Sequence, residues 1–432
     1  MEFRYGLDDR PPLLEWLFLG LQWFAVAVPS IIILGKIICT VGPAGACDPL
    51  VYLQKMFFLA ALFMLIQVFL GHGLPLIVGP STVILIGILS SPGAQPSALH
   101  TAILLGGLVL FVLAWTGLFG KIRRLFTRRV VAVVLLLIAF TLTPTIIRLV
   151  TGSGGAPRSN VLFAFVLCFS MIVLHRFLGG IWRSTLILSA TVAGTLAWHV
   201  LGLGSAGAGS AGSGALFGLF FTGFTTALSF DPGLLAAFLI CYVALAVNDI
   251  GSIESMNAFV GDGDKGGRLR RGIAVTGLAN LAAGFLGIIG QVNYSLSPGV
   301  VASSRCLSRF AIVPAALLML AVAFSPASIA VMEAVPSVVV GSAMLYILCA
   351  QMAAGIMVLM EDERGAGFNG GLVVGIPLLV AVVVAFLPGE VVSSYPALIR
   401  PVAGNSFVMG VLAVLFLEHI LFRQTPETKE GA

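Results

Sequence analysis

Apolar runs of about 20 residues recur along the whole chain, as in 51–71, 99–119 and 129–150. An α-helix rises 1.5 Å per residue, so about 20 residues cross a hydrocarbon layer roughly 30 Å thick. Only 9% of the residues are charged, whereas soluble domains carry about 25%. The runs are continuous and lack the alternation of a transmembrane β-barrel. The sequence therefore predicts an all-α polytopic membrane protein.

Fourteen spanning segments are predicted. Two of them, the third and the tenth, are short and rich in Pro, Gly and Ser, so neither fits a uniform helix. In order, the segments are 14–38, 51–71, 75–91, 99–119, 129–150, 161–177, 182–203, 232–260, 272–290, 291–306, 309–328, 331–357, 371–389 and 403–422.

The N-terminus precedes its first apolar run with the polar, acidic residues 1–16. That run lacks a small-residue cleavage site, so we expect no removable signal peptide. Placing the N-terminus inside puts 18 of the 23 Lys and Arg residues on the cytoplasmic side. Cytoplasmic loops carry the excess of basic residues, so we expect both termini in the cytoplasm. The protein itself is expected in the cell (inner) membrane. The net charge of +5 then reflects topology, and we expect no nucleic-acid partner.

The six cysteines, at positions 39, 47, 168, 241, 306 and 349, show no CxxC or CxxH spacing. We therefore expect no metal site and no redox cofactor. Cys39 and Cys47 flank one short loop and can pair if that loop faces an oxidising space. We expect unpaired, packed thiols instead.

A Gly/Ser/Ala stretch at 201–218 divides the chain into two sets of seven segments. Because seven is odd, the second set enters the membrane with the opposite orientation, which predicts a 7+7 inverted repeat. The interrupted segments, 75–91 and 291–306, are then third in each half. Matching interrupted segments in inverted halves indicate the binding site of a secondary transporter. Two proline-kinked packing helices are the alternative interpretation.

Each interrupted segment is expected to be extended first and helical afterwards. Pro80 removes a backbone donor, and Ser81 is placed to cap a helix over 82–91. Ser297 before Pro298 suits a second cap, with 291–296 extended. Free N–H groups at the two helix N-termini would face the membrane centre and a polar or anionic ligand.

Several stretches resemble the nucleobase-ascorbate transporter family (nucleobase:cation symporter-2), in the order and spacing of that family. They are "RPPLLEWLFLGLQWF" (10–24), "GLPLIVGPS" (73–81), "SFDPGLLAAFL" (229–239), "NDIG" (248–251), "SPGVVASSR" (297–305) and "GNSFVMGVLAVLF" (404–416). The resemblance implies fourteen segments in a 7+7 inverted repeat, with short strands in segments 3 and 10. It also implies elevator-like permeases, usually homodimeric, that move uracil, xanthine, uric acid or ascorbate with H⁺ or Na⁺.

The same resemblance implies two domains. A core domain would comprise 1–120 (segments 1–4) and 216–328 (segments 8–11). A gate domain would comprise 121–215 (segments 5–7) and 329–432 (segments 12–14).

The chain departs from the family at the positions that line its pocket. Trp23 stands where the family has His, and Thr82 where it often has Phe. Asn248 aligns with the family's Glu, and Leu296 and Ser297 with its Gln/Glu-Asn pair. The signature retains Gly299, Ser304 (for Thr) and Arg305. The chain thus resembles a divergent member of the family that lacks the usual pocket glutamates.

Candidate substrate contacts follow from these alignments and from polarity. They are Gln22, Trp23, Ser81, Thr82, Asn248, Ser252, Tyr294, Ser295, Leu296, Ser297 and Gly299. Asn248 and Ser252 share a helix face. The alternative roles are interhelical hydrogen bonding and packing for Gln22 and Trp23. Asn293, Tyr294, Ser295 and Ser297 could likewise contact a substrate or instead satisfy the unwound backbone.

Asp249 and Glu254 are the coupling candidates, because ionisable groups inside a membrane are costly and often functional. Asp249 lies about 100° from Asn248 around the helix. Its candidate role is that of a proton carrier or of a hydrogen-bond acceptor in the pocket. Alternatively it pairs with an Arg of 268–271 or faces the gate domain. Glu254 lies nearer the cytoplasmic end, where it can also be solvated.

We expect a secondary transporter for a small polar heterocycle or related solute, and no enzyme. The stretch "GDGDKGG" (261–267) lacks a preceding strand and a GK[ST] motif, so it is interpreted as a turn. The alternative is an anion transporter or channel resembling the sulfate permeases.

Overall fold

The computed structural model describes residues 3–41, 48–91, 93–117, 127–152, 156–179, 182, 185–203, 215–260, 264–360, 367–396 and 398–422. Helices dominate these residues. The first half contains α1 (Leu13–Val41), α2 (Pro49–Phe69), β1 (Val78–Pro80), α3 (Thr82–Leu89), α4 (Pro96–Trp115), α5 (Arg128–Thr151), α6 (Pro157–Phe177) and α7 (Leu186–Val200).

The second half begins after a long non-helical stretch that ends at residue 231. It contains α8 (Pro232–Val260), α9 (Lys265–Leu286), β2 (Gln291–Asn293), α10 (Ser297–Ser304), a 3₁₀ helix (Arg309–Ile312), α11 (Val313–Ala323), α12 (Pro326–Glu333), α13 (Ser337–Met360), α14 (Phe368–Ala385), α15 (Gly389–Ser394), α16 (Arg400–Ala403), α17 (Ser406–Phe416) and a π turn (Leu417–Leu421).

Within the described ranges, eight helices are long and apolar enough to cross a bilayer. A ninth span results if Arg309–Ala323 and Pro326–Met332, which meet at 98°, count as one. The prediction of a multi-pass helical membrane protein is confirmed. The count of fourteen, the inverted repeat and the domain limits stay predictions.

Two predicted boundaries, those of the ninth and the twelfth segments, are wrong. The ninth segment was expected over 272–290, but α9 begins at Lys265, where Asp264 caps it by accepting a hydrogen bond from Gly267 N at 2.8 Å. It ends at Leu286 because Gly287 takes a left-handed φ of 71°. The twelfth was expected over 331–357, but α12 ends at Glu333 and α13 starts after Pro336. A turn is expected at 261–267. Asp264 is instead the N-cap of α9, and 265–267 belong to that helix. Residues 261–263 lie outside the described residues.

The two interrupted segments meet as an antiparallel two-stranded ribbon. Val78 pairs with Asn293, Gly79 with Val292 and Pro80 with Gln291. The prediction of short strands in segments 3 and 10 is confirmed. Each strand leads directly towards a short helix, α3 after β1 and α10 after β2.

Ser81 caps α3 as predicted, since its hydroxyl accepts a hydrogen bond from Ile84 N at 3.4 Å. The expectations for 291–297 are partly wrong. The strand ends at Asn293, and Leu296 is the N-cap of α10 without a side-chain bond. Ser297 is the first helical residue, and its hydroxyl accepts from Ile77 N at 3.1 Å. A bond to the other interrupted segment has replaced the local cap.

Cys39 is disulfide-bonded, so the expectation of unpaired thiols is wrong for it. Cys47 lies outside the described residues. Cys168, Cys241, Cys306 and Cys349 are free.

Helices α4 and α9 pack with their backbones in close approach through glycines. A Cβ on Gly277 would lie 2.5 Å from Phe111 N, and one on Gly284 would lie 2.5 Å from Leu104 N. Small residues at a membrane helix interface permit such approach, because dispersion and polar contacts replace the hydrophobic effect there. This packing fixes α9, which supplies much of the site described below.

Gly277→Ala is expected to destabilise the protein by about 1–3 kcal/mol, because the added methyl group must push two helix backbones apart. Thermal unfolding in detergent, followed by tryptophan fluorescence, measures the loss. Gly371→Ala in α14 is the matched control, since a Cβ there meets nothing within 4 Å. Equal stability of the two variants would contradict the close-packing account.

Candidate functional site

The ribbon exposes backbone groups on its outer edges, and α9 satisfies those of β2 at Gln291. The Asn280 side chain donates to Gln291 O at 2.8 Å and accepts from Gln291 N at 3.1 Å. It therefore bonds the strand edge as a neighbouring strand would. Tyr242 of α8 donates to Asn280 Oδ1 at 2.9 Å, which orients the amide. All three residues are buried, so each polar group needs such a partner.

At the other end of β2, Asp249 of α8 performs the equivalent task for Asn293. Its Oδ1 accepts from the Asn293 backbone N at 3.0 Å and from Asn293 Nδ2 at 2.7 Å. Its Oδ2 accepts from Thr276 Oγ1 at 2.7 Å. The carboxylate is fully buried, and in the described part of the chain no Lys, Arg or His side chain bonds it. Three hydrogen-bond donors thus offset the free-energy cost of burying this charge.

The network continues from Asp249 to α2 and its C-terminal turn. Thr276 Oγ1 also accepts from Gln67 Nε2 at 3.1 Å. His72 Nδ1 accepts from Leu74 N at 2.9 Å, so its proton belongs on Nε2, which lies 3.2 Å from Asn293 Oδ1. The Asn293 amide therefore bridges a neutral imidazole on one side and a carboxylate on the other.

Three further bonds tie the ribbon to its surroundings. Ser252 Oγ donates to Asn293 O at 3.0 Å, and Tyr294 Oη donates to Pro80 O at 3.3 Å. The Ser30 hydroxyl of α1 is a second hydrogen-bond partner of Tyr294. The Tyr294 hydroxyl would lie only 2.4 Å from a Cβ on Gly79, so glycine is needed there.

The first turn of α10 is already hydrogen-bonded. Ser297 N donates to Tyr294 O at 3.1 Å, Gly299 N donates to Leu296 O at 3.0 Å, and Pro298 has no N–H. The expectation of free N–H groups is therefore wrong at these positions of α10. A ligand at this end would instead meet side chains and the turn itself.

The far end of α10 is held by the N-terminal residues. Arg305 ends the helix with a left-handed φ of 52°, and its carbonyl accepts from Arg4 N at 2.9 Å. Tyr5 forms a parallel bridge with Cys306. The signature residue Arg305 thus has a backbone role in terminating α10.

The predicted contact residues differ in accessibility. Three of them, Ser295, Leu296 and Gly299, are exposed to solvent or lipid. Three others, Thr82, Asn248 and Tyr294, are half-buried. Buried are Gln22, Trp23, Ser81, Ser252 and Ser297. Gln22 Nε2 has no hydrogen-bond partner in the described ranges. Thr82 follows the end of β1 and Tyr294, Ser295, Leu296 and Gly299 follow the end of β2, whereas Trp23 is packed into the core.

Of the two coupling candidates, Asp249 is joined to the ribbon and Glu254 is exposed. Asp249 bonds α9 and β2, so the alternative of pairing with an Arg of 268–271 is wrong, whereas its position relative to a gate domain stays a prediction. The polar residues that sequence reasoning omitted are Gln67, His72, Tyr242, Thr276 and Asn280. Thr276 and Asn280 lie four residues apart in a Gly/Ala/Leu-rich helix, a spacing that places both on one face and could have indicated them.

Apolar spans that enclose an unwound, hydrogen-bonded ribbon at a buried carboxylate form the architecture of a membrane transport protein. A family model described as "Permease family" (Xan_ur_permease) matches residues 14–390. The chain belongs to this permease family.

Curated relatives extend the same conclusion over most of the chain. Uric acid permease PucJ of Bacillus subtilis is 25% identical over 374 residues, which cover 84% of this chain and 81% of the relative. Nucleobase transporter PlUacP of Paenibacillus larvae is 26% identical, covering 82% and 81%. Xanthine permease of Bacillus subtilis is 25% identical, covering 86% and 85%.

Solved structures show the fold. The transmembrane domain of the cyanobacterial bicarbonate transporter BicA matches with a TM-score of 0.63 and 14% identity, over 88% of this chain and 98% of that one. The murine anion transporter Slc26a9 in its inward-facing state matches with a TM-score of 0.62 and 12% identity, over 95% and 69%.

Asn293→Asp is expected to destabilise the protein at pH 8 and to recover part of the loss at pH 5. The change places a second carboxylate against Asp249 and removes its 2.7 Å donor. Leaving a buried charge uncompensated costs about 3–5 kcal/mol. Lowering the pH protonates one carboxyl, which ends the repulsion and restores a donor. Thermal unfolding across pH measures both effects.

Ser295→Asp is the matched control, because this side chain is exposed two residues further along. A carboxylate there can be hydrated and should leave the pH dependence unchanged. If both variants show the same pH profile, the Asn293–Asp249 contact is not the cause.

Proposed function

We propose that this protein is a secondary active transporter of purine or pyrimidine bases, or of a closely related small heterocycle. Its relatives are named as uric acid, xanthine and nucleobase permeases. The observation that supports a transport cycle most strongly is the Asp249 carboxylate, which bonds the ribbon between the two interrupted segments. A substrate bound at the ribbon would then sense the protonation state of that carboxylate.

The proposed substrate site lies at the ribbon ends. Thr82, Asn248 and Tyr294 are half-buried there, and Ser295 follows the strand in the open. Amide and hydroxyl groups of this kind can pair with the N–H and C=O edges of a nucleobase. Gln22, with a buried and unpartnered Nε2, is the proposed additional donor from α1.

Asp249 is the proposed proton carrier. In its ionised form it is satisfied by three donors. When protonated, it needs an acceptor for its new O–H, and Thr276 Oγ1 can supply one by reversing the direction of their 2.7 Å bond. Protonation would therefore turn the Thr276 hydroxyl, whose own hydrogen must then find another acceptor. Na⁺ coupling is the alternative for the same position.

The proposed cycle is an elevator movement of the core domain (1–120 and 216–328) against the gate domain (121–215 and 329–432). We place the protein in the cell membrane as a homodimer, with both termini cytoplasmic. The basic loops support this orientation.

A small organic or inorganic anion is the second candidate substrate. The structural neighbours include a bicarbonate transporter domain and an anion transporter, and the candidate positions Asn248, Leu296 and Ser297 carry no carboxylate. The occupied N–H groups of α10 weigh against an anion at that helix.

Proteoliposomes containing the purified protein are expected to take up labelled xanthine, uric acid or uracil faster when a pH gradient is imposed. The panel should also contain bicarbonate, sulfate and chloride. Uptake of bases alone would exclude an anion as the substrate, and flux of anions alone would exclude the nucleobase proposal. Absence of flux for every solute would contradict transport itself.

Asp249→Asn is expected to abolish proton-driven accumulation while retaining exchange of internal for external substrate, because the amide cannot cycle a proton. Glu254→Gln on the exposed face of the same helix is the control and should accumulate normally. Unchanged accumulation by Asp249→Asn would remove this residue as the carrier. Loss of exchange as well would indicate a structural role only.

A further inference from the structure

The imidazole of His72 is a buried titratable group to which neither the proposed substrate site nor the proposed proton carrier assigns a role. It lies in the turn between α2 and β1 and is 1% exposed. Gly73 follows it with a left-handed φ of 67°, which turns the chain so that Leu74 N donates to His72 Nδ1 at 2.9 Å. Because a backbone N–H donates and never accepts, the ring must carry its proton on Nε2.

This tautomer determines which way the side-chain amide of Asn293 faces. His72 Nε2 lies 3.2 Å from Asn293 Oδ1, and an N–H at Nε2 needs an acceptor. The amide oxygen therefore faces the ring, and the amide nitrogen donates to Asp249 Oδ1 at 2.7 Å. In the reverse orientation two donors would meet at the ring, where both residues are buried and have no access to water.

The hydrogen bonds thus run in one direction, from the backbone of the turn through His72 and Asn293 to the carboxylate. They make the two oxygens of Asp249 different. Oδ1 accepts from Asn293 N at 3.0 Å and from Asn293 Nδ2 at 2.7 Å, and neither donor can accept a proton in return. Oδ2 accepts from the Thr276 hydroxyl at 2.7 Å, which can also act as an acceptor.

The charged groups around the turn are arginines. Arg271 Nε donates to Gly71 O at 3.3 Å, and Arg309 Nη1 would lie 3.4 Å from a Cβ on Gly73. Arg268 of α9 is close enough to act on the His72 ring electrostatically. In the described part of the chain no Asp or Glu side chain bonds the ring, and neighbouring positive charges disfavour a second proton on it. The ring therefore serves as a neutral donor.

The groups that bond Asp249 itself are neutral as well. They are Thr276 of α9 and Asn293 of β2. The orientation of the Asn293 amide is therefore what distinguishes the two carboxylate oxygens, and His72 holds that orientation.

We propose that His72 is a positioning residue for Asp249, which directs the coupling proton to Oδ2 by holding the oxygen of the Asn293 amide. The new O–H bond forms on Oδ2 and donates to Thr276 Oγ1, while Oδ1 remains the carbonyl oxygen with two donors from Asn293. The proposal rests on the role of Asp249 as proton carrier given under Proposed function.

Two substitutions separate the two hydrogen bonds of the ring. In His72→Asn, the short amide can place its oxygen near the position of Nδ1 and accept from Leu74 N, but it does not reach Asn293. In His72→Gln, the longer amide can place its nitrogen near the position of Nε2 and donate to Asn293 Oδ1. The first variant keeps the bond within the turn, and the second keeps the bond that positions the amide.

Infrared difference spectra between neutral and acidic pH, on the full-length protein in lipid nanodiscs, record the C=O stretch of protonated Asp249. The band is assigned by its absence in Asp249→Asn. In His72→Asn the Asn293 amide can turn, so the carbonyl of Asp249 loses a donor and its stretch is expected at higher frequency. His72→Gln is expected to keep the frequency of the unmodified protein.

An unshifted band in His72→Asn, or the same shift in His72→Gln, would overturn the proposal. The measurement uses no transported solute, so it is independent of the transport assays. Absence of an Asp249 band at every pH would instead refute the carrier role, and this proposal with it.

A second measurement needs no folded His72→Asn variant. The five histidines of the unmodified protein are labelled with ¹⁵N, and the His72 signals are identified by their absence in His72→Gln. We expect NMR to show an unprotonated Nδ1 and a protonated Nε2, because Leu74 N donates to Nδ1. A proton on Nδ1, alone or together with one on Nε2, would overturn the proposal.

Discussion

The structure depends on one constraint: backbone polar groups inside a bilayer must find partners within the protein. The ribbon of β1 and β2 breaks two helices at membrane depth and so frees N–H and C=O groups there. Pairing of the strands satisfies their facing edges. The outer edge of β2 needs side chains, and Asn280, Asp249 and Ser252 provide them from α8 and α9. The arrangement of these helices around the ribbon follows from that need.

Using a carboxylate for this purpose has a chemical consequence. Asp249 is buried without a bonded cation in the described residues, so three hydrogen bonds alone stabilise its charge. Buried polar networks of this kind are stable only when each member is satisfied. A proton arriving at Asp249 would therefore rearrange hydrogen bonds in this network, to which Asn293 of the ribbon belongs. The same contacts that hold the backbone thus connect its conformation to a titratable group.

Close packing makes such a network possible. Glycines at 277 and 284 bring α9 against α4, and Gly341 and Gly355 bring α13 against α5 in the same way. Short distances between helix axes leave no space for water between them, so side chains such as Asn280 must bond the nearest protein backbone. The close packing of these helices and the hydrogen bonding of their buried polar side chains therefore depend on each other.

The sequence alone determined the membrane class, the interrupted third and tenth segments and the Ser81 cap, because hydrophobic length and proline or serine position are local properties. The strands in those segments followed from the resemblance to the nucleobase-ascorbate transporter family. It also indicated Asp249 as an ionisable group within a span. Only the tertiary structure decided that Asp249 bonds Thr276 and Asn293 rather than an arginine, that Ser297 accepts from Ile77 instead of capping α10, and that His72 meets Asn293 across 221 positions of the chain. Hydrogen-bond partners this remote are chosen by packing, and no local pattern of residues encodes them.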